Sequence, residues 1–273
     1  MIFFLKIFSK LSIQKVYLVS DLFHFLIYDL FSFFSLYRDK VVTNNLKNCF
    51  PKKNTKWIQK KKRDFYSNLI DTLFEIIKLI DFKKLDIINR VHIINPELIT
   101  NEIKSNKSII ILSSHYNNWE WLFCRISILA KYVYAPYKPL SNILFNKLLI
   151  QLRQKFGGRI IEMNKFLRFM MKNENKNYVY FLLNDQVPAN TRNLSKYNFL
   201  GRQTTFYQSV EKLKKEKMPI FYVEMKKVKR GFYNIYFSKI KEKDVTQDYV
   251  KKLEKTIKEK PENWLWSHNR WKR

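Results

Sequence analysis

Ser108–Trp121 reads SIIILSSHYNNWEW, and its first half sets the fold class. Three consecutive isoleucines, Ile109 to Ile111, form a β-branched run with no polar face, the pattern of a strand buried on both sides in an α/β sheet. The run stops at Ser113–Ser114, which places His115 at the strand's carboxyl end. Open α/β sheets gather ligands and reactive groups at that end. Asn117 or Asn118 then caps a following helix, with Glu120 in its first turn.

Similar runs recur outward from this strand, at Val91–Ile94, Tyr132–Tyr137, Tyr178–Leu183, Pro219–Met225 and Phe232–Phe237. Helical patterns fill the intervals near 117–130, 141–155, 164–174, 206–217 and 246–260, the fourth opening on a Thr205/Gln208 capping box. Before them, Phe65, Leu69, Leu73, Ile76 and Ile77 mark one stripe of an amphipathic helix over about 56–80. Alternating strand and helix predicts an α/β protein, a central mixed sheet flanked by helices. No internal repeat or Pro/Gly linker divides the chain after residue 40.

The chain has 273 residues and 46% hydrophobic content, enough for a substantial core and incompatible with intrinsic disorder. A mean hydropathy of −0.35 excludes a polytopic membrane protein. Only four glycines are present, too few and too dispersed for a Rossmann or P-loop phosphate cradle. Cys49 and Cys124 stand alone, so neither a disulfide framework nor a zinc site is indicated, and no metal or cofactor is expected.

The formal charge of +29 is spread along the whole chain. It has two readings, compositional drift toward lysine or an anionic partner such as nucleic acid, acidic protein or phosphate-bearing lipid. Lys outnumbers Arg 40 to 12, and no nucleic-acid-binding signature accompanies the charge, which argues against base readout.

Residues 16–37, VYLVSDLFHFLIYDLFSFFSLY, are nearly all apolar or aromatic. Asp21 and Asp29 make a clean membrane span costly. An N-terminal membrane-associated helix lying in the interface, flanked by Lys6, Lys10, Lys15, Arg38 and Lys40, fits better, with a buried core helix as the alternative. The chain then divides into an N-terminal anchor, 1–40, and a catalytic domain, 41–273.

His115 and Glu120 are five positions apart, about 140° on a continuous helix, but a loop histidine can fold back onto the first turn. Glu120 would then fix the imidazole tautomer and raise basicity at the other nitrogen, the equipment for deprotonating a hydroxyl. A hydrogen-bonded loop histidine is the alternative.

The HYNNWE segment resembles the H-x-x-x-x-[DE] signature of the lipid A biosynthesis late acyltransferases, the lauroyl/myristoyl family, usually close to G-H-x-G-N-W-E. Further matches follow in order: YRDKVVTNNLKNCFP at Tyr37–Pro51, YKPL at Tyr137–Leu140 with Arg153 downstream, NDQ at Asn184–Gln186, FLG at Phe199–Gly201 with Thr204, and PENWLWSHNRW at Pro261–Trp271. Ser114 and Asn117 replace the family's glycines, and Lys138 its arginine, which keeps the charge but loses the bidentate fork.

The resemblance implies a glycerolipid acyltransferase-like fold. It also implies transfer of a fatty acyl group from an acyl carrier protein thioester to a hydroxyl of a phosphorylated glycolipid, a lipid A precursor, in lipopolysaccharide biosynthesis. The membrane surface, at the cytoplasmic face of the inner membrane, would be the other partner, with no role for nucleic acid. His115 and Glu120 are the expected catalytic pair. Lys138 and Arg153 are candidates to bind phosphate. Asn118 either caps the helix or donates to the oxyanion, and Asp185 and Gln186 either line the cleft or make a turn. Trp264, Trp266, His268, Arg270 and Trp271 are expected to pack the C-terminus. Other lipid acceptors (a lysophospholipid, glycolipid or amino-lipid) and a non-enzymatic basic membrane-peripheral binding protein are the competing readings.

Overall fold

A computed structural model describes residues 2–30, 37–105, 107–173, 175–187, 194–207, 218–241 and 244–271. Seven strands form one sheet: β1 (Val91–Ile93), β2 (Ile109–Ser113), β3 (Val133–Tyr137), β4 (Gly158–Glu162), β5 (Val179–Leu183), β8 (Ile220–Lys229) and β9 (Phe232–Lys239). Their spatial order is β1-β9-β8-β2-β5-β3-β4. Five run parallel, while β9 turns back antiparallel to β8 and carries β1 beside it, so the sheet is mixed as expected. A separate hairpin pairs β6 (Leu194–Phe199) with β7 (Arg202–Tyr207).

β2 is buried at all five positions, and its alternation feeds two cores. Ile109 and Ile111 face α7 (Trp119–Leu129), through Trp121, Leu122 and Ile126. Ile110 and Leu112 face the opposite layer, where Tyr249, Leu253 and Ile257 of α10 (Val245–Glu259) meet Trp264 and Trp266. One period-two strand thus glues both layers to the sheet. The helices begin where polar side chains accept the orphan N–H groups of the first turn. Asn54 starts α4 (Thr55–Lys78), Asn118 starts α7, Asn142 starts α8 (Ile143–Gln154) and Asp244 starts α10. Shorter helices complete the shell: α3 (Asp39–Cys49), α5 (Lys84–Arg90), α6 (Glu97–Lys104) and α9 (Met163–Lys172).

Several elements differ from the sequence reading, which includes none of α3, α5 and α6. β4 was not anticipated; it opens on Gly158, where a Cβ would collide with the Arg153 carbonyl and the Phe123 ring. The β6–β7 hairpin was also missed. Its two-residue turn puts Leu200 at φ 52° and Gly201 at φ 76°, a primed turn carrying only one of the usual turn residues. Thr205 belongs to β7 rather than to a helix cap, and residues 208–217 of the expected helix lie outside the described residues.

The N-terminal segment is broken into α1 (Ile2–Ser9), α2 (Ile13–His24) and a π-helical turn (Phe25–Leu30). No helix among the described residues is long and apolar enough to cross a membrane. Val16, Tyr17 and Ser20 of α2 are buried, and Ser20 Oγ donates to Asp71 on α4 at 2.7 Å. Asp21, which spoils the apolar run, meets Arg230 in the β8–β9 turn. Leu18, Leu22 and Phe25, at i, i+4 and i+7, stay on the outside with Phe4 and Ile7, each more than half exposed.

Candidate active site

β2 and β5 are parallel neighbours, with Ser113 in register with Leu183. Their carboxyl ends therefore deliver His115 and Asp185 side by side, and Asn184 N bonds back to Ser113 O at 3.1 Å. Asp185 holds His115 twice. Its Oδ1 lies 2.7 Å from imidazole Nδ1 and its Oδ2 accepts the His115 main-chain N–H at 3.0 Å. Trp264 Nε1 donates to the same Oδ2 at 2.8 Å, and Arg270 donates to the Asp185 carbonyl. Burial works to raise the Asp185 pKa, but the His115 imidazole and these donors outweigh it and hold the carboxyl below its usual range. The Asp185 side chain is 2% exposed and that of His115 18%, so the carboxylate is sealed while the imidazole reaches the surface. With Nδ1 committed to Asp185, Nε2 is left as the working nitrogen. Gln186 Nε2 sits 3.4 Å from it, and Trp119 meets the ring edge-on at 5.1 Å.

The loop after His115 is clamped from both sides. Asn117 takes φ 53°, the left-handed conformation that glycine adopts freely and asparagine tolerates best among other residues, which accounts for Asn where the signature has Gly. Its N–H donates to Asn263 O at 2.8 Å and its side chain to Met225 O at 2.7 Å. Leu265 N returns a bond to His115 O at 3.0 Å. A narrow crevice lined by Phe65, Leu69, Trp119, Trp264 and Leu265 opens beside this loop.

The structure corrects the expected pairing. Glu120 does not meet His115; its carboxylate takes the Arg153 fork, with Nε to Oε2 at 2.8 Å and Nη2 to Oε1 at 2.6 Å. Burial works against the guanidinium charge, yet the Glu120 contact raises the Arg153 pKa overall. That ion pair staples the start of α7 to the last turn of α8, so Arg153 is committed to Glu120 rather than offered to a phosphate. Asn118 is fully buried with both ends of its amide engaged, Oδ1 capping Trp121 N at 3.0 Å and Nδ2 donating to Glu75 at 2.7 Å. It is a cap, not an oxyanion donor. Lys138 is exposed in the loop after β3, two strands away from β2. Gln186 does stand at the imidazole. Asp185, read as cleft lining or a turn, is instead the partner of His115; the signal was NDQ following a buried strand, but only the β2–β5 neighbourhood gives it meaning. Glu75 escaped notice altogether, because an acidic residue inside an amphipathic stripe carries no motif.

As expected, the C-terminal segment packs. Trp264, Trp266 and Arg270 are buried, and His268 Nε2 accepts the Val187 N–H at 3.2 Å. Asn45 of α3 in turn holds the carbonyls of Trp266 and His268. Among the described residues no group of three or more His, Cys, Asp or Glu is placed to hold a metal ion.

The site is thus a carboxylate-held imidazole at the carboxyl edge of a mixed α/β sheet, with Nε2 turned toward Gln186 at the surface. Residues 2–273 match the family described as bacterial lipid A biosynthesis acyltransferase, and the chain belongs to that family. It is therefore an acyltransferase of the lipid A type, and the non-enzymatic reading falls. Comparison with curated protein sequences finds no significant match.

Proposed function

We propose that the protein transfers a fatty acyl chain from an acyl carrier protein thioester to a hydroxyl of a phosphorylated lipid A precursor, with His115 as general base and acid and Asp185 as its orienting carboxylate. The observation that carries this is the double hold of Asp185 on His115. Nε2 takes the proton of the acceptor hydroxyl as its oxygen attacks the thioester carbonyl. The tetrahedral intermediate then collapses, the C–S bond breaks, and the imidazolium returns the proton to the leaving thiolate. Asp185 stabilises the imidazolium throughout, a contribution typically of about 10²–10⁴ in rate. Gln186 is placed to orient the acceptor or the carbonyl oxygen at the reacting nitrogen. Glu120 supports the site by fixing α7 against α8.

The reaction is read as occurring at the cytoplasmic face of the inner membrane. The exposed apolar side chains of Phe4, Ile7, Leu18, Leu22 and Phe25 support an interfacial contact. The +29 charge favours an anionic lipid surface, a phosphorylated acceptor and an acidic carrier protein alike. Lys138, exposed in the loop after β3, is available for a phosphate, whereas Arg153 is paired with Glu120.

Incubating the purified protein with labelled acyl carrier protein thioester and lipid A precursor tests this reading. A product heavier by one ester-linked acyl chain is the expected result. Acylation of a lysophospholipid offered in parallel, with the precursor untouched, would overturn the acceptor assignment.

A further inference from the structure

Glu75 is fully buried on α4, and four side chains from three other elements converge on it. Its Oε1 accepts the Tyr17 hydroxyl of α2 at 2.6 Å. Its Oε2 accepts Asn118 Nδ2 at 2.7 Å and the Tyr233 hydroxyl of β9 at 2.8 Å. Its main-chain carbonyl accepts Trp121 Nε1 of α7 at 3.0 Å. One turn away, Asp71 repeats the pattern, taking Ser20 of α2 and Arg230 of the β8–β9 turn. Gly231 in that turn lies so close to the Tyr17 hydroxyl that a Cβ would collide with it.

An amide side chain has a donor end and an acceptor end, and an accepting oxygen beside it decides which way it points. Glu75 presents oxygen to Asn118, so Nδ2 turns inward and Oδ1 is left to cap Trp121 N. Asn118 begins α7 directly after the left-handed Asn117, and the loop from there back to His115 has no glycine to absorb a shift. Burial pushes the Glu75 pKa up, against the pull of Lys227 and of the Tyr17, Asn118 and Tyr233 hydrogen bonds, and with or without a proton on Oε1 the Oε2 oxygen accepts from Asn118. Here one donor comes from the N-terminal helix, another from the catalytic loop's helix cap.

We infer that Glu75 is a positioning residue that ties the docking of the N-terminal helix to the geometry of the His115 loop, so that residues 13–24 support the active site rather than serving only as a detachable anchor. This rests on the reading of His115 as the reacting base. Loosening the junction tilts the start of α7 and moves Nε2 relative to the two substrates. A misplacement of about 1 Å at a reacting group can cost about a hundredfold in rate, while substrate affinity, set elsewhere, is little changed.

The test uses full-length protein in detergent, with dispersed acceptor so that membrane binding plays no part, and activity expressed per folded molecule from circular dichroism. Glu75→Ala is expected to lower kcat about a hundredfold with KM for the thioester unchanged within about threefold. Glu75→Gln is expected to recover most of that loss. Its carbonyl can accept from Asn118 and Tyr233, while its amide donates to the Tyr17 oxygen. If Glu75→Ala does not fold, Tyr17→Phe and Asn118→Ala decide the matter in a double-mutant cycle. Coupled effects on kcat are expected, and independent ones would overturn the inference. Wild-type kcat in folded Glu75→Ala would also overturn it. His115→Ala, run alongside, separates the two readings: if it stays active, the site assignment itself fails, whereas an inactive His115→Ala beside an unaffected Glu75→Ala removes the positioning role alone.

Discussion

Asp185, seventy residues downstream, holds both the ring and the main-chain N–H of His115, at 2.7 Å and 3.0 Å. The carboxylate five residues away, Glu120, is turned to Arg153. Asp185→Asn should therefore disable catalysis by mis-setting the imidazole tautomer. The expected loss in kcat is about 10³–10⁴, with KM little changed. Steady-state kinetics on the folded variant check it.

Glu120→Gln should show a different signature. It removes one member of a largely buried bidentate pair and leaves the Arg153 guanidinium uncompensated, at a cost of about 3 kcal/mol in stability. Replacing Arg153 by Met in the same chain should restore part of that loss, because the stranded charge goes with it. Denaturant unfolding of the two single variants and the double variant measures the recovery.

His268 makes the fold sensitive to mild acid. Burial first, and the neighbouring Arg270 next, push its pKa from 6.5 down to about 4. The folded state thus binds fewer protons than the unfolded chain between those values. The stability supplied by neutral His268 is complete above about pH 6.5 and is lost progressively as pH falls toward 4. His268→Gln, which can still accept the Val187 N–H, should show a flatter dependence of Tm on pH across that window.

The exposed apolar side chains of the N-terminal helices should bind lipid. Leu18→Asp with Leu22→Asp places charges at exposed positions, which leaves the fold intact. Each apolar side chain buried in a bilayer contributes about 1.5–3 kcal/mol, so partition onto anionic vesicles should fall at least about tenfold. Flotation assays read this directly, and equal partition of wild type and variant would argue against an interfacial role for this face.

Much of this architecture is legible in the sequence because it is local. The Ile109–Ile111 run defines a doubly buried strand, and His115 falls at a strand end. α4 forms where expected, but of its apolar stripe only Phe65 is buried and Leu73 is half exposed, the buried face running instead through Asn68, Asp71, Thr72 and Glu75. The partners of the site are not local. Asp185 reaches His115 only because β5 pairs with β2, and Glu75 reaches Asn118 only because α4 crosses the start of α7. A spacing of five residues suggested Glu120 for a task that sheet topology gives to Asp185. The aspartates that looked like defects in a membrane segment are partly explained the same way, since Asp21 answers Arg230, 209 residues downstream. The β6–β7 turn carries only Gly201 of the residues that usually announce a hairpin, whereas β4 follows the Gly157–Gly158 pair, a turn signal that the sequence does carry.

The role of His115 is tested most directly by single-turnover acyl transfer with purified wild type and His115→Ala, at saturating thioester and lipid A precursor, after circular dichroism and thermal unfolding show matched folds. The account predicts that the variant still binds the thioester but forms acylated product at least about a thousandfold more slowly. Transfer by His115→Ala at a rate near that of wild type would contradict it.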